Sequence, residues 1–263
     1  MGTQIGDAVS ALATSYFGSV LDWLGDGANW RGTEGVPHRF VEHIQISLVS
    51  LVIAILISVS IGLFFGHLRT GGFVVVNIAN LGRAIPSFSI LLLAVLLWGI
   101  GNPPRVLTSI GIVSFPAFLA LVALAIPPVL TNTYVGVSEV DDDVRDAARG
   151  MGMNDRQVVQ RVEFPLATPF IMAGIRTSGV AVVATATLLA YVGGGGLGRF
   201  IIDGAAIDYQ DPRIFAGALF VAVLSVITEL SLASVQRLVV PRALRHVEIE
   251  VDRTPLSPPA MPL

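Results

Sequence analysis

Long uncharged stretches separated by short polar ones organise this chain. Residues 43–68 carry no formally charged side chain, and 46–65 are almost wholly apolar. A helix needs ~20 such residues to cross a bilayer, so this run predicts a first span, ended by His67, Arg69 and Gly71-Gly72. A second run, 73–100, is interrupted by Arg83 and Pro86. Two spans here would each be too short, so it predicts one long helix, kinked or stepped near Pro86. The third run, 106–138, has no charge and contains Pro116, Pro127 and Pro128; its core is expected at 115–135. The fourth, 168–192, is broken only by Arg176. A glycine-rich loop at 193–198 follows and continues through polar residues to Pro212. The fifth span, 214–236, holds Glu229 and ends before Pro241.

Outside the spans, Val9, Leu12, Ala13, Tyr16, Val20 and Leu24 recur at helical spacing. With Trp23 and Trp30 nearby, they predict an interfacial helix with an aromatic anchor. Asp7, Asp22 and Asp26, without a basic leading region, argue against a secretory signal peptide. The tail from Arg242 is polar, carries Pro255, Pro258 and Pro259, and is expected to be disordered. The expected fold is all-α: a polytopic membrane protein of about five transmembrane helices plus the N-terminal interfacial helix. Its segments are 1–37, a membrane domain at 38–240, and a tail at 241–263.

Composition sharpens this. Of 263 residues, 53% are hydrophobic and 13% charged, against roughly a quarter charged in soluble domains. There is no cysteine, which excludes disulfides and thiolate metal sites. There is no lysine either: all 16 basic residues are arginine. A P-loop needs its lysine on the β/γ-phosphates, so the chain is not expected to hydrolyse ATP. The net charge of −3 gives no nucleic-acid footprint. His38, His43, His67 and His246 lack ligand spacing, so neither a metal site nor a cofactor is expected. Nine arginines fall on the side of the polar segment 139–165 and five on the other. The positive-inside rule then puts the N-terminus outside and the tail in the cytoplasm of a cell inner membrane.

That polar segment, EVDDDVRDAARGMGMNDRQVVQRVEFP, is the least expected feature. Val144, Ala147, Ala148 and Met151 fall at i, i+3, i+4 and i+7, one narrow apolar stripe on a short helix. Asp141–Arg145, Asp142–Arg145 and Asp146–Arg149 have the spacing of helical ion pairs. Gly150 and Gly152 permit a sharp turn. Asn154 with Gln157 suits a capping box, opening a second helix to about Val162, and Pro165 marks re-entry into the membrane. Helix, turn and helix in this order suit insertion into a groove on a partner.

Asp146-Ala147-Ala148, then Gly152, then Val162, Phe164 and Pro165, resemble the EAA signature of ABC-importer permeases: Glu-Ala-Ala, three residues, Gly, nine residues, Ile, any residue, Leu-Pro. The spacing matches throughout; Asp replaces Glu, Val replaces Ile and Phe replaces Leu. Residues 83–86 (Arg-Ala-Ile-Pro), 184–187 (Ala-Thr-Ala-Thr) and 195–198 (Gly-Gly-Leu-Gly) are similar to the glycine betaine/carnitine/choline permeases of the osmoprotectant branch. The likeness covers about residues 38–240. It implies a transport subunit that is not an enzyme. It implies as partners two ATP-binding ABC subunits, a second permease subunit and an extracytoplasmic substrate-binding protein. Asp146, Ala147, Ala148 and Gly152 take the docking role, with Phe164 and Pro165 shaping the return. A methionine or other amino-acid permease, and an ATP-independent carrier or channel, are the alternatives.

The remaining candidates concern a pathway or gate. Gly195, Gly196, Leu197 and Gly198 suit a tight re-entrant bend or gate rather than a phosphate site, since no Lys-Ser/Thr follows. Arg83 precedes the step at Pro86. Arg176 and Glu229 are expected near span ends, snorkelling or locked in an ion pair. Thr185 and Thr187 either line a path or back-bond to helix carbonyls.

Overall fold

The computed structural model describes residues 15–75, 77, 85–99, 103–207, 209 and 211–241. Arg83, Val9, Leu12 and Ala13 of the N-terminal pattern, and the tail from Arg242 lie outside the described residues. A first helix, α1, covers residues 15–25. It is followed by α2 (Val36–Leu68), α3 (Ser87–Trp98), α4 (Phe115–Ser138), α5 (Asp142–Gly150), α6 (Asp155–Val192), α7 (Gly198–Ile207) and α8 (Pro212–Val239). Among the described residues, four helices are long and apolar enough to span a membrane: α2, α4, α6 and α8.

The spans begin and end on local chemistry. Pro37 sits in the first turn of α2, where its missing N–H breaks no helical bond. Arg69 ends that helix in a left-handed conformation, φ 48°. Ser114 caps α4, its hydroxyl accepting from the Ala117 N–H. Asp211 does the same for α8 through the Arg213 N–H.

Three sequence expectations change. The run at 73–100 is stepped at Pro86 as expected, but the step is a full break. The backbone at Ile85 and Pro86 is non-helical, and α3 starts afresh after it with 12 residues. At 1.5 Å per residue α3 is about 18 Å long, short of the ~30 Å hydrocarbon core. The second helix of the polar segment does not end near Val162 either. It runs unbroken into the fourth span, and α6 is a single helix of 38 residues. A π-turn at Val159–Glu163 lies just ahead of Pro165, with the Phe164 N–H bonded to the Val159 carbonyl. The wide turn loosens the ladder where the proline ring needs room and its donor is lost. Finally, the stretch before Pro212 contains α7. Gly204 and β-branched isoleucines give it poor helix propensity. Packing holds it: Phe200 is buried, and a side chain on Gly204 would reach within 2.9 Å of Ile214.

The core lies between α2, α4 and α6, where Ile46, Ala54, Leu121, Ala125 and Val182 are buried together with Leu91 of α3. The Pro127-Pro128 pair interrupts the α4 ladder in this core. Neighbouring hydroxyls donate there: Ser58 of α2 to the Ile126 carbonyl at 3.2 Å, and Ser178 of α6 to the Ala125 carbonyl at 2.7 Å. Gly62 and Gly66 let α2 lie against Thr133 and Val137 of α4; a Cβ on Gly62 would meet the Thr133 side chain at 2.6 Å. On the other side, α1 folds onto α7 and α8. Trp23 meets Phe200 edge-on at 5.6 Å, and Trp30 meets Phe220 at 6.1 Å. The two tryptophans expected to anchor at an interface therefore pack the N-terminal segment onto the bundle.

Gly62→Val is expected to destabilise the bundle by ~1–3 kcal/mol through overpacking. Leu56→Val, on the outward face of the same helix where Leu56 is exposed, is expected to leave stability unchanged. An SDS-unfolding midpoint for each variant checks both.

Candidate functional site

Two ends of the bundle carry the candidate residues. At one end, α5 forms the expected short helix. The Asp141 side chain caps it, accepting from the Asp143 N–H at 2.9 Å. The helix closes in a Schellman arrangement. The Met153 N–H reaches the Ala148 carbonyl, the Gly152 N–H reaches the Arg149 carbonyl, and Gly152 sits at φ 86°. Glycine suits this position because the left-handed conformation is strained for other residues. The Asn154–Gln157 capping box forms in both directions at 2.9 Å.

The faces of α5 differ from the expected pattern. Val144, Ala147 and Met151 are exposed, Met151 at 73%. Ala148 is buried and faces the bundle, so the outward apolar stripe is Val144, Ala147 and Met151 alone. Asp146 is exposed and pairs with Arg149 at 3.6 Å. Phe164 is partly exposed at the start of the span, and Val162 lies within the π-turn.

Arg145 does not pair with Asp141 or Asp142. It turns inward and is almost fully buried, beside Glu163, which has no exposed surface. Arg145 Nε lies 3.2 Å from Glu163 Oε1, an ion-pair distance without hydrogen-bond alignment. Arg145 Nη2 donates to the Val137 carbonyl of α4 at 2.6 Å. His67 Nδ1 lies 2.9 Å from both Glu163 oxygens. Burial weakens Arg145's hold on its proton, and the Glu163 carboxylate opposes that effect. One buried cluster thus ties α5 to the ends of α2 and α4 and to the π-turn of α6. Asp142 pairs instead with Arg69 at 2.6 Å.

At the other end, the glycine loop is pinned to α2. The Gly195 N–H donates to the Gly111 carbonyl at 2.8 Å and the Gly196 N–H to Glu42 Oε2 at 2.9 Å. The Leu197 N–H donates to His43 Nδ1 at 3.2 Å. His43 Nδ1 is therefore the acceptor nitrogen, so Nε2 carries the proton and donates to the Val183 carbonyl of α6 at 2.9 Å. A Cβ on Gly195 would lie 2.5 Å from Glu42 Oε2, and Gly196 has φ 88°. Leu197 and Gly198 are buried.

Thr185 and Thr187 back-bond, to the Ala181 carbonyl at 2.6 Å and the Ala184 carbonyl at 2.7 Å. Pro86 sits at the start of α3, where Phe88 touches Tyr191 at the end of α6, 4.9 Å between ring centres. Arg176 pairs with Glu229 of α8 and donates to Gln236 at 2.8 Å.

Sequence reasoning singled out the glycine loop and the α5 surface but missed Arg145, Glu163, His67, Glu42 and His43 as site residues. The available signal was Glu163 itself, an acid set between Val162 and Phe164 immediately before a membrane span.

Residues 42–245 match the family model described as a binding-protein-dependent transport system inner membrane component. The glycine betaine/carnitine/choline transport system permease protein OpuCB of Bacillus subtilis is 35% identical over 207 residues, 79% of this chain and 89% of that protein. The choline transport system permease protein OpuBB of the same organism is 33% identical over 211 residues, 80% of this chain and 91% of its own length. Among solved structures, an inward-facing form of the MetNI methionine ABC transporter aligns with a TM-score of 0.62 at 20% identity. The alignment covers 76% of this chain and 94% of that one, and the likeness is one of fold.

Glu163→Ala leaves the Arg145 charge buried without its partner and is expected to cost ~3–5 kcal/mol. The double variant Arg145→Met/Glu163→Leu is expected to recover most of that loss in the same unfolding measurement. At the other end, Gly195→Ala is expected to dislodge the loop. The chain has no cysteine, so Leu197→Cys is a unique thiol. It should resist maleimide in the otherwise unaltered chain and react when Gly195→Ala is added.

Proposed function

Because the chain belongs to the family of binding-protein-dependent transport system inner membrane components, we propose that it is the permease subunit of an ATP-driven importer for osmoprotectants of the glycine betaine, carnitine and choline kind. The substrate class comes from the relatives, whose names carry those solutes. The chain itself is a non-catalytic, multi-pass transport subunit. Two ATP-binding subunits supply the work, a second permease subunit encloses the path, and an extracytoplasmic binding protein delivers the solute.

The observation that carries this reading is the outward face of α5. Val144, Ala147 and Met151 leave an apolar stripe exposed on a helix whose other face is bolted to the bundle. A contiguous apolar stripe set among exposed charges is the kind of surface that a partner's groove covers. Residues 139–165 then act as the coupling loop on the cytoplasmic side. Asp146, Ala147 and Gly152 shape the helix that enters the ATPase, while Ala148 and Pro165 hold its base. Closure of the ATP-bound subunits pulls on α5 and is relayed through the Arg145–Glu163–His67 cluster. The N-terminus is outside in this orientation, and the pinned glycine loop, with Gly195, Gly196, Leu197 and Gly198, closes the outer end of the path.

The test uses the complex reconstituted in proteoliposomes with its ATPase and binding protein. Ala147→Asp or Met151→Asp places an unpaired charge in the docking groove. Either is expected to reduce uptake by roughly tenfold or more and to abolish its coupling to ATP hydrolysis. Asp146→Asn, at the exposed rim, is expected to change uptake by less than about threefold. Fully coupled uptake in both aspartate variants would exclude α5 as the motor attachment.

A further inference from the structure

Arg176 and Glu229 face each other from within α6 and α8. Arg176 follows Phe164 by 12 residues and Glu229 precedes Val239 by 10. At 1.5 Å per residue that is about 18 Å and about 15 Å of helix, inside the two spans. Yet neither is sealed in the bundle: their side chains are 33% and 39% exposed. They line an open groove of about 620 Å³ between α6 and α8, with Thr177 and Ser225 beside them.

Ionised groups left open within a membrane span are costly. A purely structural pair avoids that cost by burial, with its donors satisfied. This pair is half open, and the Arg176 Nε, itself buried, has no acceptor. The groove wall is a cation and an anion side by side with two hydroxyl-bearing residues. That is the complement of a small zwitterion: a carboxylate seats against Arg176 and a quaternary ammonium against Glu229. The α8 span is also the least covered of the four, so this wall faces outward from the protomer.

We propose that the Arg176–Glu229 groove is a station for the solute on its way through the membrane, reading both charges of a betaine-type zwitterion. This rests on the reading of the chain as a permease for quaternary-ammonium solutes. The guanidinium supplies the carboxylate contact that choline, a cation without a carboxylate, cannot use. The Glu229 carboxylate serves both solutes.

The experiment compares glycine betaine and choline uptake by the reconstituted complex, with assembly checked by size exclusion and ATP hydrolysis measured alongside. Arg176→Met is expected to lower glycine betaine uptake roughly tenfold and choline uptake less than about threefold; Glu229→Gln is expected to lower both by roughly tenfold. Where a single substitution weakens assembly, the exchange Arg176→Glu/Glu229→Arg keeps an ion pair between the helices while inverting the two charges. A station is expected to leave the exchanged complex assembled but still roughly tenfold impaired. Restoration of uptake by the exchange, or equal loss of both solutes in Arg176→Met, would reduce the pair to a helix lock and overturn the proposal alone. Failure of the unaltered complex to take up either solute overturns the parent reading and this one together.

Discussion

The fully buried carboxylate of Glu163 governs the architecture of one end of this molecule. A carboxylate removed from water needs compensating charge and donors, and here they come from Arg145 and His67, which belong to different helices. Arg145 also caps the carbonyl end of α4 through Val137. Four elements therefore meet at one acid. Had Arg145 paired with the acids of its own helix, α5 would hang from the bundle by its two chain connections. Because it turns inward, the helix has one face committed to the bundle and one face free for a partner.

The opposite end depends on the same kind of bond between distant segments, made with backbone donors. A glycine-rich loop has few side chains with which to hold itself. Glu42 and His43 of α2 hold it by accepting hydrogen bonds from the Gly196 and Leu197 N–H groups, and His43 passes the connection on to the Val183 carbonyl of α6. The small size of Gly195 lets the backbone approach the carboxylate that holds it. The first span thus contacts both ends of the device: the loop at its N-terminal end and the Glu163 cluster at its C-terminal end. In the proposed reading of these ends as outer closure and motor attachment, an element that touches both makes their movements depend on one another.

How much was legible in the sequence follows from the range of each interaction. The Asn154–Gln157 box and the Gly152 turn are short-range bonds between neighbours, and each formed as its spacing required. The helices at 36–68, 115–138 and 212–239 follow from uncharged length, a local property. Arg145 was misassigned because spacing along α5 offers it Asp141 and Asp142, while the decisive partner is 18 residues on and reached through the turn at Gly152. The helix α7 was missed because its own composition is a poor helix former, and its stability comes from α8 and Trp23 packed against it.

The sequence by itself determined the membrane class, the polar module between spans and the lack of a P-loop lysine, because hydrophobic length, glycine and proline punctuation and residue types act locally. Only the tertiary structure decided which face of α5 is free and that Arg176 and Glu229 meet in an open groove between α6 and α8. It alone showed that the glycine loop is held by the first span. Those outcomes depend on charges and donors finding partners across the bundle, where the gain from satisfying a buried group exceeds any preference written in its immediate neighbours.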